Sequence, residues 1–377
     1  MNKIVYVVNT LEFFNSHRLP LAIEAGKKGC EVHVVANISS EDLISENGLT
    51  YHHLAFSRSG QNPFYEFIIL YRLLMLLLKI RPDLLHLVTI KPVLYGGIVG
   101  RLIRVKSVVA AISGLGSVFS ASNWADLVRL WLVKALYRTA LNHKNLTVIF
   151  QNEDDKRKLL SAKAVKESKA RLIRGSGVSL KEYDFTVEPR AESVVTVSMA
   201  ARLLKEKGVC EFVDAARLLK QRNVAVSMQL IGSPDPGNPS SITEEDIRLW
   251  EEEGLVTFLG YRKDIAELYS RSHIVCLPSY YGEGLPKSLV EAAACGRAII
   301  TTDMPGCRDA IIPGKTGVLV PAKDSVALAN AIQYLVENPD QRTQMGKAGR
   351  KLAEEEFTIE HVVERHMEIY QELMSRG

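Results

Sequence analysis

His273-Ile274-Val275-Cys276-Leu277-Pro278-Ser279-Tyr280-Tyr281-Gly282-Glu283-Gly284-Leu285-Pro286-Lys287-Ser288-Leu289-Val290-Glu291 joins an apolar run, a glycine-bearing loop and a helix start in one stretch. The run 273–279 fits a buried parallel strand, and Gly282 and Gly284 permit a tight turn after it. Pro286 suits the first helical position. Backbone N–H groups of Leu285, Lys287 and Ser288 then point out of the helix start, where unpaired donors and the positive dipole end favour a phosphate. Glu283 falls in the loop and Glu291 a turn or two inside the helix, so the two carboxylates can flank a bound diphosphate sugar. Gly284, Leu285, Pro286 and Lys287 line the same expected donor contact. Read alone, the stretch serves equally well as a helix start with one acidic N-terminal residue and one solvated acidic position.

The rhythm around it repeats along the chain. Apolar runs at 4–8, 31–35, 84–88, 107–112 and 146–150 alternate with longer helical patterns, and those at 194–199, 225–231, 256–259, 274–277, 298–302 and 317–320 continue the alternation. This predicts open parallel sheets covered by helices, with ligands at the carboxyl ends of the strands. A chain of 377 residues is long for one core, so two domains are expected. The boundary falls near Gly175-Ser176-Gly177, dividing residues 1–176 from 177–357, and a polar, strand-poor segment spans 180–191.

The formal net charge of +4 hides an asymmetry: residues 1–180 hold 24 Lys and Arg against 13 Asp and Glu, and the remainder holds 23 against 30. A basic first half suits attraction to anionic lipid, a diphosphate-linked acceptor or nucleic acid, and equally a solvated face. Nucleic acid is disfavoured because no binding motif or aromatic-basic interleaving accompanies the charge. Five cysteines without C-x-x-C spacing fit buried thiols in a reducing cytoplasm. The opening Met-Asn-Lys-Ile-Val-Tyr-Val-Val reads as a core strand rather than a signal peptide. The apolar stretch 67–80 contains Arg72 and Lys79 and falls short of the ~20 residues a spanning helix requires, so it is a buried or interfacial helix.

Met199-Ala200-Ala201-Arg202-Leu203-Leu204-Lys205-Glu206-Lys207-Gly208 places Arg202 and Lys207 between a strand and a helix. Two cations there can neutralise a diphosphate, Arg as a fork and Lys as a point charge. As a glycosidic bond breaks, charge grows on the β-phosphate, and a preorganised positive site stabilises it. A solvated basic loop is the competing description, since Lys205 adjoins the pair.

Taken together, the lead-in Pro-Ser-Tyr-Tyr-Gly-Glu-Gly-Leu-Pro, the Glu283-x7-Glu291 spacing and the Arg202-x4-Lys207-Gly208 segment resemble the signatures of retaining family-4 (group 1) glycosyltransferases of GT-B fold. The resemblance covers nearly the whole sequence. It implies an α/β protein with two Rossmann-like parallel-sheet domains facing a central cleft. The first would bind the acceptor and the second the nucleotide sugar, and a last helix, about 358–377, would cross back to the first. It further implies that Glu283 contacts the transferred hexose, that Glu291 contacts the ribose, and that Gly232, Tyr261 and Arg262 close around the base. In the first domain, Phe13-Phe14-Asn15-Ser16-His17-Arg18 stands where many relatives carry a glycine pair. It resembles the subgroup that builds bacterial O-antigen, capsule and lipid-linked glycans on undecaprenyl diphosphate. Asn15, His17, Arg18 and Lys91 become acceptor candidates, although His17 also suits a surface position and Lys91 a helix cap. Thr89-Ile90-Lys91 occupies the region where relatives often have a sugar-contacting His. His86, within the strand, reads as a core residue.

The expected activity is transfer of a hexose or N-acetylhexosamine from a UDP-sugar to a polyprenyl-diphosphate-linked sugar, with no cofactor. A UDP-sugar 2-epimerase and a catalytically silent sugar-nucleotide-binding partner are the rival readings. No Asp-x-Asp occurs, and the nine His and five Cys show no zinc spacing, so no metal is expected. Gly314-Lys315-Thr316 lacks the P-loop glycine, having Asp309 in its place, and reads as a turn. Asn152 reads as a helix cap. Trp124, Leu127, Val128, Trp131, Leu132, Ala135 and Leu136 form a helical stripe near Arg129, Lys134 and Arg138. Such a stripe fits a core-facing helix or one lying on a membrane. The expected location is cytoplasmic, with peripheral contact on the anionic inner membrane.

Overall fold

The computed structural model describes residues 2–38, 48–56, 63–119, 124–189 and 194–376. The chain divides into two compact units, Met1–Ser176 with Ile359–Gly377, and Gly177–Thr358. In the first unit β1 (Lys3–Thr10) leads into α1 (Leu11–His17), α2 (Leu19–Lys27), β2 (Glu31–Asn37), β3 (Thr50–His53), α3 (Pro63–Ile80), β4 (Leu84–Val88) and α4 (Ile90–Leu102). It continues through β5 (Ser107–Ile112), α5 (Trp124–Ala140), β6 (Leu146–Phe150), α6 (Glu153–Ser161) and β7 (Ala170–Leu172). All seven strands are parallel, in the order β3-β2-β1-β4-β5-β6-β7.

The central strands are apolar on both faces because helices cover both. Successive side chains alternate across the sheet. Val5, Val7, Leu85, Leu87, Val108 and Ala110 pack into one cluster with α3, α4 and α5. Ile4, Tyr6, Val8, Val109 and Ala111 pack into the other with α1 and α2. The two strands that the sequence pattern does not show, β3 and β7, are the short edges of this sheet. The Thr-Tyr-His-His of β3 is only partly buried, so it carries no apolar row. The stripe on α5 faces outward: Trp124 and Trp131 are 78 % and 65 % exposed, while Tyr137 and Ala140 enter the core. The core-facing description of that stripe is therefore replaced by an exposed one.

The second unit comprises β8 (Val195–Ala200), α7 (Val209–Gln221), β9 (Val226–Ile231), α8 (Glu244–Glu252), β10 (Thr257–Gly260), α9 (Ile265–Arg271) and β11 (Ile274–Leu277). After these come α10 (Lys287–Ala294), β12 (Ala298–Thr302), β13 (Gly317–Val320), α11 (Ser325–Glu337) and α12 (Pro339–Glu356), and α13 (Ile359–Ser375) belongs to the first unit. Its six-stranded sheet is also parallel, in the order β10-β9-β8-β11-β12-β13. The strand-poor segment is fastened to this unit by two buried arginines. Arg297, fully buried, donates to the Ser272 and Cys295 carbonyls at 3.1 Å and to Oγ1 of Thr186 at 2.8 Å. Arg342 donates to Glu188 at 2.8 Å.

In the first unit α13 lies against β1 and β4 through Tyr370, whose hydroxyl bonds Nδ1 of His86 and donates to the Tyr6 hydroxyl at 3.0 Å. His86 is fully buried, as its position within a strand implies. Asn152 caps α6, accepting from the Asp155 amide at 2.8 Å, and Asp155 in turn accepts from the Leu115 amide at 3.1 Å. The Gly314-Lys315-Thr316 segment is a turn closed by the Ile312 carbonyl, which accepts from Lys315 and Thr316 at 3.0 and 2.9 Å.

Candidate active site

In the second sheet the strand order reverses between β8 and β11, and ligands of open parallel sheets bind beyond the strand ends at such a reversal. The loops leaving these two strands carry the two expected motifs. After β8 the chain passes Arg202 and makes one tight turn at Lys205–Lys207 before α7. After β11 it passes Ser279 and Glu283 and reaches α10. Gly208 makes the approach possible: its φ is +82°, and a Cβ there would lie 2.2 Å from the Pro278 carbonyl oxygen. The loops are then stitched together. The Glu206 carbonyl accepts from the Tyr280 amide at 3.0 Å and from the Ser279 hydroxyl at 3.1 Å.

Lys207 Nζ and Glu283 Oε1 meet as a largely buried ion pair, with Oγ of Ser279 3.0 Å from the same carboxylate oxygen. Lys207 also lies 5.7 Å from the centre of the Tyr281 ring. Arg202 takes a different direction, pairing with Asp235 at 3.3 Å. Gly306 presses on the acidic loop from behind. With φ at +81°, a Cβ on it would lie 2.4 Å from the Gly284 oxygen and 2.6 Å from the Glu283 oxygen.

Pro286 stands one place before α10, at its N-cap, so the helix begins at Lys287. Its carbonyl accepts from Leu289 and Val290, and the amides of Lys287 and Ser288 precede the first intrahelical bond. Glu291 is only 7 % exposed, with Lys287 Nζ 3.3 Å away. Burial pushes its carboxyl up, and Lys287 and the Tyr183 hydroxyl oppose that shift. Leu285 is also buried. Gly232 follows β9 with its amide on the Gly260 carbonyl at 2.9 Å, and a Cβ there would clash with the Ala201 carbonyl. Tyr261 is exposed, and Arg262 is paired with Asp264 through Nε at 2.8 Å.

In the first unit, Asn15 is exposed at the end of α1 and the His17 ring stacks on Phe13 at 4.1 Å. Arg18 is a correction: it is 2 % exposed, covered within the core that holds Tyr6 and Tyr370, and its Nε finds no partner. Its guanidinium is turned inward because Arg18 sits at the junction where α1 stops and α2 folds back over the sheet. Lys91 Nζ is held by Glu66 of α3 at 2.6 Å, and Tyr95 donates to the same carboxylate at 2.6 Å. At the reversal of the first sheet, between β1 and β4, Thr89 has φ +73° and ψ 168°. That conformation is costly for a β-branched residue, and its Oγ1 is buried without a partner.

Periodicity gave no sign of the contacts made by Ser279 and Gly306 or of the strain at Thr89. The only trace of Gly306 is the turn-forming Pro-Gly pair at 305–306. Among the described residues no group of three or more His, Cys, Asp or Glu side chains is placed to hold a metal ion.

Two family descriptions match the chain. One is glycosyl transferase 4-like, over residues 3–152, and the other is glycosyl transferases group 1, over residues 181–352. The chain belongs to the group 1 glycosyltransferases, a retaining family that uses nucleotide sugars, and its fold is GT-B. Over 327 residues, 84 % of either chain, it is 29 % identical to the N,N'-diacetylbacillosaminyl-diphospho-undecaprenol alpha-1,3-N-acetylgalactosaminyltransferase of Campylobacter jejuni. It is 24 % identical to the capsular polysaccharide biosynthesis glycosyltransferase CapM of Staphylococcus aureus, over 59 % of this chain and 60 % of that one. In structure it resembles sucrose-phosphate synthase of Thermosynechococcus elongatus, with a TM-score of 0.80 and 22 % identity over the whole of both chains. Anabaena HepE in complex with UDP and glucose gives a TM-score of 0.76 at 18 % identity, over 99 % of this chain and all of HepE.

Proposed function

We propose that this glycosyltransferase moves a hexose or N-acetylhexosamine from a UDP-sugar to a polyprenyl-diphosphate-linked sugar in the assembly of a bacterial surface polysaccharide or glycan. The observation that carries the reading is the meeting of Lys207 and Glu283 from two loops at the strand reversal, just ahead of the open start of α10. The Campylobacter relative's lipid-diphosphate acceptor and the UDP bound by HepE support the two substrate classes.

In this reading the diphosphate of the donor rests on Lys207, Arg202 and the Lys287 and Ser288 amides. These groups stabilise the charge that grows on the β-phosphate as its bond to the anomeric carbon breaks. Lys207 exchanges Glu283 for phosphate, which frees the carboxylate to accept from the sugar hydroxyls. Glu291 accepts from the ribose, and Gly232, Tyr261 and Arg262 close on the base. The acceptor hydroxyl forms its new bond on the face the diphosphate leaves, and its proton passes to the departing phosphate oxygen. No step calls on a metal. Asn15, His17 and Thr89 are the acceptor-side residues of the first unit, and Lys91 joins them only on releasing Glu66.

Product analysis tests the proposal. UDP-sugar with an undecaprenyl-diphosphate sugar and EDTA is expected to yield a lipid-linked disaccharide of retained configuration. An epimerised UDP-sugar from donor alone identifies an epimerase instead, and binding of UDP without turnover identifies a silent partner.

A further inference from the structure

The outer face of the α3–α4–α5 layer carries large apolar side chains that are exposed among the described residues. On α3, Ile69, Leu73, Leu77 and Ile80 turn inward, while Phe64, Phe67, Tyr71 and Met75 form an outward stripe at helical spacing. Phe64 and Phe67 are 72 % and 67 % exposed. On α5 the outward stripe carries Trp124 and Trp131. Both helices flank α4 and share its core cluster over one face of the first sheet, so their outward stripes belong to one surface.

The charge on these two helices is predominantly positive: Arg72 and Lys79 on α3 and Arg129, Lys134 and Arg138 on α5 outnumber two acids, of which Glu66 is paired with Lys91 and Asp126 with Arg129 at 3.0 Å. We propose that the two-helix face seats on an anionic bilayer, with the aromatic rings at headgroup depth and the cations against lipid phosphates. Trp and Tyr favour that depth, having an apolar body and a polar edge. Lys and Arg beside them are drawn by the surface potential of anionic lipid. Among the described residues no helix is long and apolar enough to cross a membrane, so the face lies on the bilayer. A second copy of this chain fits less well. A two-fold contact would set this predominantly positive face against a second copy of itself.

The inference deepens the lipid-linked acceptor reading and rests on it for its purpose, because a face that holds the enzyme on the membrane brings it to such an acceptor. The test is co-sedimentation of the full chain with phosphatidylcholine vesicles, with and without phosphatidylglycerol. Binding is expected only with phosphatidylglycerol, and Phe67→Glu and Trp131→Glu are each expected to weaken it by about tenfold or more. Both variants keep the UDP-induced thermal shift, since neither touches the donor residues. Wild type that ignores anionic vesicles, variants that bind as well as wild type, or a dimer that Phe67→Glu dissociates would each overturn the inference. A failure of sugar transfer with vesicle binding intact counts against the transfer reading alone.

Discussion

Glu283 and Lys207 hold each other, and each is largely screened from water. A phosphate therefore competes with a carboxylate for the same ammonium group. Glu283→Gln keeps the side-chain shape and removes that competitor. Calorimetry is expected to show UDP binding unchanged or tighter by up to about tenfold, worth ~1.4 kcal/mol, while kcat falls by about a hundredfold or more. Weaker UDP binding in the variant would mean that Glu283 serves to position Lys207. The places of these two residues and of Glu291, beyond two strand ends and inside a helix start, were legible in the sequence from the order of its apolar runs and glycines. Gly306 was not, because its contact is with a loop 22 positions away and depends on a left-handed turn. Arg18 misled for a similar reason: a cation after a short helix reads as exposed, whereas the aromatic groups that cover it come from β1 and α13 at opposite ends of the chain.

At the scale of elements, α13 is joined to the first unit by a buried polar layer. His86 stacks between Tyr6 at 5.0 Å and His366 at 5.8 Å, His366 Nδ1 donates to the Val362 carbonyl at 2.7 Å, and the charge of Arg18 acts on both rings. Burial, and then Arg18, hold both imidazoles below their ordinary range, His366 at about 3. In the unfolded chain they protonate near pH 6.5, so the unfolded state binds protons that the folded state refuses. Stability is then complete above about pH 6.5 and falls as pH drops toward the folded values, by ~1.4 kcal/mol per pH unit for each group. Urea unfolding at pH 7 and pH 5 is expected to show this loss, and His366→Leu should flatten it by about one proton's share. Equal slopes in the two proteins would contradict the assignment. The interior strands were legible as apolar runs because both of their faces are covered. The edge strands β3 and β7 lack such runs, and the direction of the α5 stripe was hidden because the inward side of that helix is apolar too.

At the scale of the whole molecule, the basic first 180 residues hold the outward cations of α3 and α5, and the acidic remainder holds the paired loops at the β8–β11 reversal. The division of labour proposed here puts lipid and acceptor with the first unit and the UDP-sugar with the second. The alternation of strands and helices made both parallel sheets legible, and the likeness to solved structures over the whole chain shows their GT-B architecture. What the sequence could not convey is which contacts lock the loops, since those are made across the fold. The central claim is a donor site built by Lys207, Glu283 and Glu291, and a thermal-shift panel of UDP, GDP and ADP on wild type, Lys207→Ala and Glu291→Ala tests it most directly. Ligand at a hundred times its Kd adds ~2.7 kcal/mol to stability, enough for a clear shift. The expected result is a shift with UDP alone that both variants largely lose. No shift with any nucleotide, or a UDP shift undiminished in both variants, would contradict it.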